Sequence, residues 1–174
     1  MGLFDQLSGV LKQYANSSAS GQINENVNEH FDQVAQAVPS SSLADGLAAA
    51  FRSNSTPGFG QMLGGLFNQS NGDQKAGILN QLLTSAGPGA LSQLAGGGGL
   101  AALLGGGVSK LTSEQAQSVS PDLVQQLATH AEKNDPSLID KAGAFYSQHP
   151  ALVKTLGGAV LTIAMAKVAE KHNA

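Results

Sequence analysis

Hydrophobic residues recur along the chain with the three- and four-residue spacing of an α-helix. The first such stripe is formed by Leu3, Phe4, Leu7, Val10, Leu11 and Tyr14. Similar stripes cover residues 23–38, 43–51, 59–67 and 78–83. Alternation with a period of two is not sustained, and the β-branched and aromatic residues that favour strands are scarce. The hydrophobic pattern therefore predicts an all-α fold.

Polar residues, prolines and glycines predict where these helices begin and end. A proline stops the second helix, serines cap the third, a Thr-Pro pair opens the fourth and a Gly-Pro pair ends the fifth. These signals are Pro39, Ser41 or Ser42, Thr56-Pro57 and Gly87-Pro88. Ile23 is expected on the buried stripe of the second helix, together with Val27 and Phe31.

The C-terminal third contains three helix starts, each a polar residue followed by proline. They are Ser120-Pro121, Asp135-Pro136 and His149-Pro150. The last of them predicts one long helix over 150–171, apolar on nearly every face from Leu152 to Val168. Such a helix usually lies at the centre of a bundle. Small residues on it would let neighbouring helices approach closely: Gly157, Gly158, Ala159 and Ala164.

Together these elements predict a bundle of about eight to ten short helices around a hydrophobic C-terminal helix. Residues 1–174 are expected to form a single domain. The alternative is an internal boundary in the glycine-rich segment 96–107, GGGGLAALLGGG. A free linker would be more polar, so Leu100 to Leu104 are expected to form a short buried turn.

Composition and charge exclude several classes of function. The 174 residues include 9 basic, 12 acidic and no cysteine side chains, with 12% charged residues. Without cysteine there is no disulfide framework and no thiol chemistry. The net charge of -3 argues against nucleic-acid binding. The most helix-turn-helix-like segment, 112–147, lacks the basic face that phosphate contacts need.

Neither a membrane span nor a targeting signal is expected. The most apolar run, LGGAVLTIAMA at 156–166, is shorter than the ~18–20 residues that cross a bilayer. The N-terminus, MGLFDQLSGVLKQY, lacks the basic region of a secretory signal peptide. These features predict a soluble, cytoplasmic protein with no transmembrane span.

The sequence offers little of the chemistry that enzymes need. Its histidines are His30, His130, His149 and His172. They form no HxxxH or HExxH pair, and serine elbows, phosphate loops and paired carboxylates in an apolar setting are also missing. We expect no enzyme, metal site or cofactor. A structural or solvated role is favoured for each histidine, with His130 and His149 as the strongest candidates for a functional pair.

Two hypotheses of function follow. The first is a non-enzymatic helical protein that acts by self-association or partner binding, because low surface charge and small residues favour close helix contact. The alternative is a carrier of a fatty acid or tetrapyrrole in a cavity between helices. That cavity would be lined by aromatic and methionine side chains, which ordinary core packing explains equally: Phe59, Met62, Phe67, Phe145, Tyr146 and Met165.

Three segments resemble the bacterial YidB-like family, whose members are small helical proteins with no assigned activity. The segments are MGLFDQLSGVL, QMLGGLFNQ and GGGGLAALLGGG, about a third of the chain. The resemblance implies a bacterial source and a helical fold. It carries over no catalytic residue, and it does not extend to the sequence from Ser120 onward.

Overall fold

A computed structural model describes residues 2–17, 23–94 and 110–173, and every regular element in these ranges is a helix. The all-α prediction is confirmed. A short 3-10 helix, Lys154–Leu156, precedes the last α-helix. The α-helices of these ranges are α1 Leu3–Ser17, α2 Val27–Ala37, α3 Ser40–Arg52, α4 Phe59–Gln69, α5 Gly72–Leu94, α6 Ser113–Gln117, α7 Pro121–Asn134, α8 Leu138–Ser147, α9 Pro150–Val153 and α10 Gly158–Asn173.

The chain divides into two compact units. Unit 1 comprises Met1–Pro57 and Ala142–Ala174, and unit 2 comprises Gly58–Lys141. The glycine-rich segment 96–107, with the turn expected at Leu100 to Leu104, lies outside the described residues. The single-domain prediction and its alternative boundary therefore stay predictions.

Unit 1 is built around the C-terminal helix, as the apolar sequence of that helix predicts. Helices α1, α2 and α3 all pack against α10. The contact with α3 is especially close, because a Cβ atom on Gly46 would lie 2.5 Å from the carbonyl oxygen of Ala164. Ala164 is therefore a position where a neighbouring helix approaches closely, as the sequence predicts. The fully or almost fully buried side chains of α10 include Val160, Leu161, Met165 and Val168.

The prediction of one continuous helix over 150–171 is wrong. Helix α9 ends at Val153, the 3-10 turn follows, and α10 begins only at Gly158. Gly157 separates them with φ of 96°, a left-handed conformation that glycine adopts without the steric cost of a Cβ atom. Gly157 therefore ends the 3-10 turn and is not a helix-contact position, since an added Cβ atom would meet nothing within 4 Å.

The predicted caps of α3 and α4 are also wrong. Helix α3 begins at Ser40 after Pro39, with no side-chain cap from Ser41 or Ser42. Helix α4 has Gly58 at its N-cap. The Thr56 hydroxyl instead donates to the carbonyl oxygens of Ala50 (2.7 Å) and Ser53 (3.0 Å). Thr56 thus closes the end of α3, because unpaired carbonyls at a helix C-terminus need donors.

One further boundary differs from the sequence prediction, and two others agree with it. Helix α2 begins at Val27, and Ile23 precedes it with 56% of its surface exposed. Gly87 interrupts α5 with φ of 74°, but helical structure resumes and continues to Leu94. Because the φ and ψ of Gly87 are both non-helical, two helical stretches meet here, and the first of them ends at the predicted Gly87-Pro88 pair. Ser120 does cap α7 as predicted, since its hydroxyl accepts the N–H of Leu123 at 3.3 Å.

In unit 2, α4 and α5 pack against α7, and α6 packs against α5. Gly60 and Gly64 share one face of α4, and both lie against the backbone of α7. The start of the 110–120 segment is fixed to α5 by Asn80. Its amide nitrogen donates to the carbonyl of Leu111 at 3.2 Å, and its amide oxygen accepts the Leu111 N–H at 2.7 Å.

Candidate functional site

The two candidate histidines lie in different units. His130 is a partly exposed residue of α7 in unit 2. His149 precedes α9 in unit 1, where its ring centroid lies 5.1 Å from that of Phe145. A joint role for the two histidines stays a prediction.

The residues proposed to line a ligand cavity are also divided between the units. Phe59, Met62 and Phe67 are buried in unit 2. In unit 1, Tyr146 and Met165 are fully buried, and Phe145 is partly exposed. Their burial is what core packing produces, and neither of the two grooves of unit 2 described below is lined by any of them. The carrier hypothesis therefore stays a prediction.

One face of α7 carries a continuous set of polar side chains that we call the α7 surface. These residues recur at helical spacing and border an open groove of about 550 Å³. All except the partly exposed His130 are exposed. The opposite face of α7 is buried and includes Val124, Leu127, Ala128 and Ala131. The α7 surface consists of Asp122, Gln125, Gln126, Thr129, His130 and Lys133.

The α7 surface has opposite charges at its two ends. Asp122 lies in the first turn of the helix and Lys133 in the last, so both charges also suit the helix dipole. At 1.5 Å per residue they are separated by about 16 Å along the axis. Asp122 and His130 are about 12 Å apart by the same measure, too far for a hydrogen-bonded acid–base pair.

Most polar groups of the α7 surface are available for an external contact. The Thr129 hydroxyl donates to the backbone oxygen of Gln125 at 2.8 Å. Among the described residues, the side chains of Asp122, Gln126, His130 and Lys133 have no hydrogen-bond or ion-pair partner. The carboxylate, amide, imidazole and ammonium groups of these side chains can therefore bind another molecule without first breaking a bond within the described part of the chain.

A smaller groove of about 300 Å³ lies beside α5 and is bordered by Asn80, Thr84, Lys110 and Lys141. Lys141 is already engaged, because its ammonium group donates to Asp135 at 2.8 Å. The same carboxylate accepts the N–H of Ser137 at 3.1 Å and also its hydroxyl. The bond from Lys141, followed by that from Ser137, lowers the pKa of Asp135 below its usual range. This network holds the turn that precedes α8.

The low pKa of Asp135 predicts a pH dependence of stability. A carboxylate with a lowered pKa in the folded state stabilises the protein above its unfolded pKa of about 3.9, and this contribution is lost as the pH falls further. We expect Asp135→Asn to reduce the loss of stability between about pH 4 and pH 2, measured by urea denaturation at each pH. Glu25→Gln, at an exposed position of unit 1, is the control. If Asp135→Asn loses as much stability as the original protein over this pH range, the role of this network is contradicted.

A partly buried tyrosine–histidine contact in unit 1 is not evident from the sequence. The Tyr14 hydroxyl and Nδ1 of His30 are 2.8 Å apart, and the rings meet edge to face. Burial raises the pKa of the Tyr14 phenol. The contact joins α1 to α2, so His30 has the structural role that its sequence context favours. No sequence signal pairs these residues, because they lie on different helices.

Metal clusters and membrane spans are absent from the part of the chain that the structure describes. Within residues 2–17, 23–94 and 110–173, no group of three His, Asp or Glu side chains is placed to hold a metal ion. In the same ranges, no helix combines the length and apolar character needed to cross a membrane.

Comparisons with known proteins do not assign the chain to a family. No protein-family model matches it, and no curated protein or solved structure is significantly similar to it. The resemblance to the YidB-like family therefore stays a prediction, and the α7 surface must be interpreted from its own residues.

Proposed function

We propose that this is a non-enzymatic helical protein that works by association, with a second copy of the chain bound at the α7 surface. The observation that carries the proposal is the set of exposed polar groups on α7 that have no partner among the described residues. A cytoplasmic location and a bacterial source, as the sequence predicts, are part of the same proposal.

The character of the described surface supports a polar interface. Ile23 is the only exposed large hydrophobic residue among those whose side chains the structure describes. An interface in this part of the chain must therefore be built mainly from polar and small side chains. Interfaces of this kind are stabilised by hydrogen bonds and complementary charges, and they are commonly reversible.

The spacing of ionisable groups supports a binding role over a catalytic one. General acid–base catalysis needs groups within hydrogen-bond reach of one reacting centre. On the α7 surface the carboxylate, imidazole and ammonium groups are distributed along nearly the whole helix. Such a distribution suits an elongated contact with another chain more than the concentrated chemistry of an active site.

Self-association predicts a measurable change of mass with concentration. Size-exclusion chromatography with light scattering should show a shift from 17.6 kDa towards twice that mass as the protein concentration rises. Low salt should favour the dimer, because charge pairs at an exposed interface are screened by ions. A constant monomer mass at high protein concentration and low salt would overturn the proposal.

A further inference from the structure

We infer that two copies of this chain pair through their α7 surfaces in an antiparallel, two-fold symmetric arrangement. The inference rests on the proposed self-association and specifies the interface. Its basis is an internal symmetry of the surface itself. The polar residues are arranged symmetrically about the point midway between Leu127 and Ala128, which lie on the buried face of α7.

An antiparallel partner helix converts this symmetry into complementary contacts. In a two-fold interface, each residue of one copy faces its counterpart in the other, and the same contact occurs twice. With the axis midway along the α7 surface, Asp122 faces Lys133 of the second copy. Gln126 and Thr129 also lie near the middle of the stripe, so the amide of one copy faces the hydroxyl of the other, whereas Gln125 and His130 lie on opposite flanks of the contact. The Asp122–Lys133 pair combines opposite charges, and the Gln126–Thr129 pair combines hydrogen-bonding groups.

A parallel arrangement lacks this complementarity. It would place Asp122 beside Asp122 and Lys133 beside Lys133, and like charges at close range are destabilising. The charges of the α7 surface thus favour the antiparallel orientation of the two copies over the parallel one. The dipoles of two antiparallel helices also favour this orientation.

The packing of α7 within unit 2 keeps the proposed interface rigid. Gly60 allows α4 to approach the backbone of α7 so closely that a Cβ atom there would lie 2.7 Å from the Gln125 oxygen and 2.3 Å from the Thr129 hydroxyl oxygen. A surface already held in its binding geometry loses less conformational entropy on association. The flank of the α7 surface is therefore ordered before the second copy binds.

Charge reversal at the two ends of the surface tests the inference directly. Asp122→Lys and Lys133→Glu each replace two attractive pairs in the symmetric dimer by two repulsive ones. Each variant alone should dimerise about tenfold more weakly at low salt, since exposed pairs contribute modestly. An equimolar mixture of the two variants should recover dimerisation, because both facing pairs of the mixed dimer again combine opposite charges. The equilibrium constants are measured by sedimentation equilibrium.

Controls separate this interface from general charge effects. Lys12→Glu and Glu25→Lys make the same changes of net charge at exposed positions of unit 1 and should leave the dimer unchanged. Circular dichroism of every variant checks that the helices remain folded. The double variant D122K/K133E should also dimerise within about threefold of the original protein, although its reversed charges oppose the helix dipole.

The possible results separate the inference from the proposed function. A dimer that is insensitive to both single reversals, or that is weakened by them without recovery on mixing, overturns the antiparallel interface and leaves self-association intact. A protein that is monomeric before any substitution overturns both. Recovery in the mixture together with unchanged controls supports the antiparallel pair.

Discussion

Gly46→Ala is expected to destabilise unit 1 by about 3 kcal/mol, because the added methyl group has no space. Its Cβ atom would lie 2.5 Å from the carbonyl oxygen of Ala164 and 3.0 Å from a methyl group of Val168. The nearest atom belongs to the backbone of the central helix, so rotation of a side chain does not relieve the contact. The two helices must separate, and the packing between them is lost.

The measurement can be confined to unit 1. Both tyrosines of the chain, Tyr14 and Tyr146, belong to this unit and are fully buried, so tyrosine fluorescence during urea denaturation reports its unfolding. The control is Gly9→Ala in α1, where an added Cβ atom meets nothing within 4 Å. There the better helix propensity of alanine should raise stability by up to about 1 kcal/mol. Equal effects of the two substitutions would contradict the close packing of α3 on α10.

Gly60→Ala is expected to destabilise unit 2 by about 2 kcal/mol for a related reason. The added Cβ atom would lie 2.3 Å from the Thr129 hydroxyl oxygen and 2.7 Å from the backbone oxygen of Gln125. The Thr129 side chain can rotate away, but the carbonyl oxygen remains in its helix. The expected cost is therefore somewhat smaller than at Gly46.

A matched control lies in the same helix. Gly65 is exposed, and a Cβ atom added there meets nothing within 4 Å, so Gly65→Ala should be neutral or stabilising. Hydrogen exchange followed by mass spectrometry, read on peptides from 58–141, should show faster exchange in Gly60→Ala and not in Gly65→Ala. If both variants exchange at the rate of the original protein, α4 and α7 are not in the contact described.

The local sequence was sufficient to predict the type of structure and several of its elements. The stripe containing Leu7, Leu11 and Tyr14 predicted α1 because helical periodicity alone decides which residues share a face. The Ser120-Pro121 pair predicted the start of α7 because a hydroxyl cap and a proline at the first helical position act within one turn. The apolar α10 was placed correctly at the centre of its unit because a helix that is apolar on nearly every face needs neighbours on all sides to be buried.

The candidate site could be predicted from the sequence only in part. His130 was identified there, and the structure places it on the α7 surface. Its neighbours Gln126 and Lys133 carry no motif, and their common exposure depends on which face of α7 packs against α4 and α5. The symmetry of the charges along α7 becomes informative only when that exposed face is known.

Other features were decided by contacts between residues distant in sequence, which local patterns do not encode. Thr56 has the sequence of an N-cap but bonds back to Ala50, because the carbonyls at the end of α3 lie within its reach. Tyr14 and His30 meet because α1 and α2 pack together. Sequence determined which segments are helical, since that depends on neighbouring residues. Tertiary structure alone decided which glycines are irreplaceable, since this depends on the backbone that lies opposite each one.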